Sequence, residues 1–150
     1  MNLVLVALVR SISNVMATLV SPLMHVAVGV IFNVRGEVLI AERPPGKYQS
    51  GLWEFPGGKV EENETVFQAL QRELFEEVGI QIITAESWLQ VKYEYSDRKV
   101  LLDTWRVTEF SGEPVGKEGQ SIQWIPLSRL SQFQFPAGNQ EIIQKLLARF

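Results

Sequence analysis

Three glutamates, Glu73, Glu76 and Glu77, stand within the run Arg72-Glu73-Leu74-Phe75-Glu76-Glu77. On a helix, i, i+3 and i+4 spacings put side chains on one face, so the three carboxylates share a side with Ala69 one turn before them. Like charges at that spacing repel by ~0.2–0.5 kcal/mol per exposed pair. A solvated acidic face tolerates the repulsion, with Arg72 pairing to Glu76 at i, i+4. A concave site would need a cation. Carboxylate oxygens unaccompanied by sulfur or imidazole suit Mg²⁺ or Mn²⁺.

The rest of the composition narrows the chemistry. The chain has no cysteine and one histidine. Disulfides, zinc–thiolate sites, iron–sulfur clusters, cysteine nucleophiles and histidine-rich metal sites are thereby excluded. Acid–base work falls to Glu, Asp, Lys, Tyr or His25. Lys plus Arg total 14 against 17 Asp plus Glu, a formal charge of −3. No basic excess is available to grip duplex phosphates, so a nucleic-acid polymer is not expected as a partner. Any phosphate chemistry must rest on a few local cations or a metal.

Periodicity outlines the elements that must hold these residues. Phe67, Leu70, Leu74 and Val78 gather on one side of a helix from about Glu64 to Val78, and that side must face a sheet. Asn63 is placed to cap this helix and Gly79 to stop it. Upstream, His25–Val34 is apolar on both alternating faces, as in a central strand, and Arg35-Gly36 turns it into a second strand at Val38–Ala41. Residues 43–51 read as a loop, Leu52–Phe55 as a short strand, and Pro56-Gly57-Gly58 as its break. Downstream, strands at Ser87–Tyr95 and Val100–Phe110 flank a polar turn at Ser96-Asp97-Arg98. A Gly-rich loop over 111–120, a strand at Ile122–Ile125, a helical turn at 128–131 and an amphipathic helix from Asn139 to Arg149 follow. The pattern predicts an α/β (α+β) domain with helices packed on a mixed sheet.

A length of 150 residues with 46% apolar and 21% charged side chains fits one globular domain, placed at 25–150. Residues 1–24 read as an apolar N-terminal extension that the domain does not need. Arg10 interrupts its apolar run, against the ~20 apolar residues of a spanning helix. It has neither the charged start nor the small-residue cleavage site of a secretory signal. No stable membrane insertion is expected. The absence of cysteine suits a reducing cytoplasm, and a monomer is expected there.

The glutamates belong to a longer pattern: Gly58, five residues, Glu64, seven residues, then Arg72-Glu73-Leu74-Phe75-Glu76-Glu77-Val78-Gly79-Ile80. This resembles the box of the Nudix hydrolase superfamily, G-x5-E-x7-R-E-U-x-E-E-x-G-U with U aliphatic, at every specified position. Seven fixed residues at ~1 in 15 each give a chance match of roughly one in 10⁸, which outweighs the solvated-face reading. Phe55-Pro56-Gly57-Gly58-Lys59 precedes the box. Gly112-Glu113-Pro114, Gly116-Lys117-Glu118-Gly119-Gln120 and Phe135-Pro136-Ala137-Gly138-Asn139 follow it. Together these are similar to the MutT-like branch, whose members hydrolyse 8-oxo-dGTP and related oxidised guanine nucleotides. The likeness spans residues 26–149. It implies a Nudix-type α/β/α sandwich with a mixed β-sheet. It also implies a small-molecule nucleotide substrate cleaved to the monophosphate and pyrophosphate, which keeps oxidised guanine out of replicating DNA.

The resemblance carries roles to particular residues. Glu73, Glu76 and Glu77 would hold Mg²⁺, or Mn²⁺, directly or through water. The Gly57 carbonyl and Glu118 would complete the ligand set. Glu73 is the first candidate for the base that deprotonates water and Glu118 the second. Glu64 is peripheral, and Arg72 orients the glutamates. Arg43 and Lys59 match positions that meet substrate phosphates in similar proteins, the plain alternative being surface cations.

Asn139 is the base-reading candidate. Its amide offers an acceptor beside a donor, which complements N7–H and O6 of 8-oxoguanine. Unmodified guanine has a bare N7 that would face the amide oxygen. A cap on the last helix competes for the same side chain. Phe135 and Tyr95 either line the base pocket or pack the core, and His25 reads as structural. Two rivals within the family and one outside it remain. ADP-sugar hydrolases of the superfamily tend to carry Pro sixteen residues after the box, where this chain has Ser96. Dinucleoside polyphosphate hydrolases tend to carry Tyr nearby, as at Tyr93 and Tyr95. A nucleotide-sensing module without turnover tends to lose box glutamates, all of which are kept here.

Overall fold

The structure, a computed structural model, describes residues 22–46 and 51–148. The expected extension over 1–24 lies outside them as far as residue 21, as does the end of the last helix at residue 149. The strands are β1 (Leu23–Ile31), β2 (Val38–Glu42), β3 (Trp53–Glu54), β4 (Gly57–Lys59), β5 (Gln81–Glu94), β6 (Lys99–Ser111) and β7 (Ile122–Ile125). The helices are α1 (Val66–Val78) and α2 (Gln140–Leu147), with short 3-10 turns at Leu127–Gln132 and Ala137–Asn139.

The strands form two sheets, ordered β4-β1-β6-β5 and β3-β2-β7. β1 runs parallel to β6, and every other pair is antiparallel, so the sheet system is mixed as expected. Alternation along the strands assigns side chains to two layers. Ala27, Ile31 and Leu39 meet Leu70, Leu74 and Val78 of α1 on one side. Val28, Val30, Val38 and Ile40 meet Ile142 and Leu146 of α2 on the other. The sheets are thus held between α1 and α2. α1 lies close on β1 at Gly29, where a Cβ would stand 3.2 Å from a Leu74 methyl carbon.

Several boundaries differ from the sequence reading. α1 starts at Val66, and its cap is Thr65 rather than Asn63. Thr65 Oγ1 accepts the Gln68 N–H at 3.1 Å, and the Gln68 side-chain oxygen accepts the Thr65 N–H at 2.9 Å. This reciprocal pair satisfies two of the donors a helix start leaves open. Asn63 instead has a φ of 63°, in the turn before the cap. Gly57 and Gly58 do not merely break a strand: they are in β4, facing Val28 and Ala27 of β1. β5 begins at Gln81, six residues earlier than its alternation suggests, because register shifts near Thr84 and Leu89 interrupt the period of two. β1 begins at Leu23, which pairs with Lys99, and Met24 packs on the core.

Candidate active site

The box glutamates are positioned by how α1 begins, ends and meets β4. Before its first turn, Glu64 accepts Arg72 Nε at 2.8 Å and a second Arg72 N–H at 2.9 Å. The same guanidinium donates to Glu73 Oε1 at 2.7 Å and to the Lys59 carbonyl at 3.0 Å. Glu76, the expected i, i+4 partner, stands 3.6 Å from it with an exposed side chain. Arg72 is therefore a clamp on carboxylates, and it does not line the cavity described below. The Arg72 hydrogen bonds, joined by one from the Glu61 N–H, hold the Glu64 carboxyl down at about 2. The carboxylates of Glu64 and Glu73 in turn raise Arg72 above its ordinary value. Glu73 lies against β4, where a Cβ on Gly58 would collide with its carboxyl group. Glycine at 58 is what lets the helix carboxylate approach the strand so closely.

At its other end α1 stops at Gly79, whose φ of 75° turns the chain away. The loop after β6 then returns to the helix end. Val115 N–H donates to the Val78 carbonyl at 3.0 Å, and Lys117 N–H to the Glu77 carbonyl at 3.0 Å. Gln120 donates its side-chain amide to that same Glu77 carbonyl at 3.0 Å and accepts the Glu118 N–H at 2.8 Å. These bonds satisfy carbonyls that a helix end leaves open, and they deliver Glu118 to Glu77.

Glu77, Glu118, Gly57 and Glu54 open onto one cavity of about 390 Å³. Burial pushes the Glu77 carboxyl up to about 9, helped by the negative charges of Glu54, Glu73 and Glu118. One interaction opposes this, the Gly57 N–H donating to Glu77 Oε2 at 3.3 Å. A buried carboxylate faced by three others is an arrangement that a hard divalent cation relieves. The donors are all oxygen, so this end of the cavity fits Mg²⁺ or Mn²⁺ in chemistry. Among the described residues, no three acidic or imidazole side chains already stand together as a metal-binding group.

The expected trio is thus divided. Glu77 lines the cavity, Glu73 borders it across Gly58, and Glu76 is turned outward. Glu118 and Gly57 are placed with Glu77. Glu54 was missed in the sequence. It lines the cavity and accepts Arg43 Nη1 at 2.9 Å across paired strands β2 and β3. The available signal was its place on a strand one residue before Phe55-Pro56-Gly57-Gly58, where alternation can turn a side chain inward. Gln120 stands in the Gly116–Gln120 motif but was given no role, since that role rests on a contact with Glu77, 43 residues away.

Arg43 and Lys59 both line the same cavity, as do Tyr95, Arg98, Pro136 and Asn139. Its floor is apolar, built from Met24, Val26, Val28, Val100 and Leu102. Asn139 is 9% exposed and precedes α2, yet its side chain makes no cap hydrogen bond. Phe135 requires a correction. It is 7% exposed and stacks on Phe55 at 5.2 Å between ring centres, so it packs the core and is not in the cavity lining. His25 is structural, as expected: it meets Asp103 at 3.0 Å, and Trp105 and Gln90 also donate to that buried carboxylate.

Comparison with known proteins gives a consistent result. The model of the NUDIX domain family matches residues 27–145. The 8-oxo-dGTP diphosphatase of Escherichia coli (strain K12) is 42% identical over 123 residues, covering 82% of this chain and 95% of that relative. The CTP pyrophosphohydrolase of the same organism is 36% identical over 121 residues, 81% of this chain and 90% of that one. A solved structure from a study of MutT of Aliivibrio salmonicida and Vibrio cholerae superposes with a TM-score of 0.76 at 36% identity. That match covers 86% of this chain and all of the solved one.

Proposed function

The chain belongs to the NUDIX domain family and is a Nudix pyrophosphohydrolase, and from that premise we propose that it hydrolyses 8-oxo-dGTP and related oxidised guanine nucleotides. The products are the nucleoside monophosphate and pyrophosphate. The observation that carries this reading is a single cavity lined both by the Glu77, Glu118 and Glu54 carboxylates and by Asn139, whose amide is not used as a helix cap. The name of the relative that is 42% identical supports the same substrate.

In this reading Glu77, Glu118 and the Gly57 carbonyl hold Mg²⁺, with Mn²⁺ as a substitute, and Glu73 and Glu76 contribute directly or through water. When bound, such an ion would supply charge neutralisation for the phosphate oxygens. Glu118 is the better candidate to accept the proton from water, because it lines the cavity whereas Glu73 Oε1 is committed to Arg72. Glu54 holds Arg43 by its Nη1, and Arg43 and Lys59 receive the phosphates. Asn139 would accept the N7–H of 8-oxoguanine at its amide oxygen and donate an amide N–H to O6, a complement that guanine lacks. The buried apolar floor takes the rest of the base.

The relative that acts on CTP motivates a second reading, since an amide also complements the N3 and N4–H₂ edge of cytosine. Hydrolysis rates with Mg²⁺ across 8-oxo-dGTP, dGTP, CTP, ADP-ribose and dinucleoside polyphosphates decide between them. A kcat/KM highest for 8-oxo-dGTP is expected, and a preference for CTP or ADP-ribose overturns the reading. No helix among the described residues is long and apolar enough to cross a membrane. The catalytic domain, expected from residue 25, is proposed to begin at Leu23, because Leu23 and Met24 belong to β1 and Met24 lines the cavity; it would act as a monomer on free nucleotides in the cytoplasm.

A further inference from the structure

Asn139 has no cap bond to hold its position, yet it follows a glycine that is fixed tightly. Gly138 N–H donates to the Tyr95 hydroxyl oxygen at 2.9 Å. A Cβ on Gly138 would stand 2.8 Å from that oxygen and 3.3 Å from Tyr93 Cβ. A side chain there would force one of these neighbours to shift, so the 3-10 turn Ala137–Asn139 sits directly on the tyrosine pair at the end of β5. The pair is itself held by local contacts. The two rings lie 4.6 Å apart, and the Tyr95 N–H is tied to the Arg98 carbonyl at 2.7 Å across the turn into β6. Tyr95 and Asn139 also line the same cavity.

We propose that Tyr95 is a positioning residue for base selection: its hydroxyl anchors the Gly138 amide and thereby fixes where the Asn139 carboxamide stands. This rests on the reading of Asn139 as the base reader. A planar amide discriminates two base edges only when its oxygen and nitrogen are held against the right atoms. Hydrogen bonds weaken steeply once distance and angle depart from their narrow optimum. β5 and β6 supply the rigid frame, and the hydroxyl is the link from that frame to the reading residue.

Tyr95→Phe keeps the ring and its packing while removing only the oxygen that accepts the Gly138 N–H. The expected result is a fall of about threefold to tenfold in the ratio of kcat/KM for 8-oxo-dGTP to that for dGTP, on the scale of one hydrogen bond. The loss should fall on KM for 8-oxo-dGTP more than on its kcat, and more on 8-oxo-dGTP than on dGTP. Asn139→Ala and the double variant are measured beside it. If the amide is what the hydroxyl positions, the double variant should match Asn139→Ala alone, because the two losses are one loss. An unchanged ratio in Tyr95→Phe, with a reduced ratio in Asn139→Ala, overturns the proposal and leaves the base-reading role standing. An unchanged ratio in both removes the base-reading role and the proposal with it. Equal losses for both nucleotides in Tyr95→Phe also overturn it, since they reveal a general packing defect. If Gly138→Ala, whose new methyl group would crowd the same oxygen, leaves the ratio untouched, that contradicts the proposal too.

Discussion

At the entrance to α1, Glu64 accepts Arg72 N–H groups at both carboxylate oxygens and is held down at about 2. Three turns later Glu77 receives one backbone N–H at 3.3 Å, faces Glu54, Glu73 and Glu118, and is pushed up to about 9. Both residues belong to one short sequence pattern and have the same side chain. The difference lies in what surrounds them. Around Glu64 the fold has compensated the charge, so the group contributes to stability. Around Glu77 the fold has gathered negative charge and left its compensation to something bound. Charged groups matched within the protein serve structure, whereas charges concentrated without a match mark where a ligand of opposite sign belongs.

The same substitution at the two places should therefore do opposite things. Glu77→Gln keeps the shape but removes the charge and most of the affinity for a cation. With saturating Mg²⁺, kcat should fall by about two to three orders of magnitude, the scale of losing a main electrostatic contributor to the transition state. The melting temperature without metal should hold or rise. Near wild-type turnover would erase the contrast. Asn139→Ala asks whether the proposed base-reading part of the cavity separates from the proposed phosphate part. It should cost ~1–3 kcal/mol of preference for 8-oxo-dGTP over dGTP, as for a bidentate base contact. Its dGTP turnover and its melting temperature should move little, since the side chain caps no helix. A lower melting temperature with an unchanged preference would return Asn139 to a structural role.

Glu64→Gln should lower the melting temperature by several degrees and change kcat only a few-fold, through a looser Arg72 clamp on Glu73. The smallest effects lie in the pH dependence of the metal-free protein. Glu64 has a depressed pKa, so its contribution is present above the ordinary value of 4.5 and fades as pH falls toward about 2. Glu77 has a raised pKa, so its contribution is present below 4.5 and is lost as pH rises toward about 9. Thermal melts from pH 3 to 9 should show Glu64→Gln flattening the acid limb and Glu77→Gln flattening the alkaline limb. A flattening of the same limb by both would contradict the assignment.

The division between these two carboxylates was only partly legible in the sequence. Helical spacing put Glu73, Glu76 and Glu77 on one side, which is correct for the helix alone. It could not show that Gly58 of β4 draws Glu73 close, that Arg72 turns toward Glu64 rather than Glu76, or that Glu76 faces solvent. Those outcomes depend on how β4 pairs with β1, a contact between residues about 30 positions apart. The layered fold was legible because buried strands and an amphipathic helix leave strong periodic signals. β5 was underestimated where bulges break its alternation, and only Asn63 was read as a cap, whereas the capping-box partner Gln68 points to Thr65. Phe135 was ambiguous because an aromatic ring suits a base pocket and a core equally well. Its stacking on Phe55 decides for the core.

The most direct test of the contrast uses binding rather than turnover. Melting temperatures of the wild type, Glu64→Gln and Glu77→Gln are measured at pH 8 with and without Mg²⁺. A cation that binds only the folded protein raises its melting point by an amount that grows with the logarithm of its concentration relative to Kd. The wild type and Glu64→Gln should both gain on adding Mg²⁺, from different starting points, and Glu77→Gln should lose most of that gain. If Glu77→Gln keeps the full Mg²⁺-dependent rise while Glu64→Gln loses it, the charge left open by the fold is at the wrong end of the helix, and the active site placed here is contradicted.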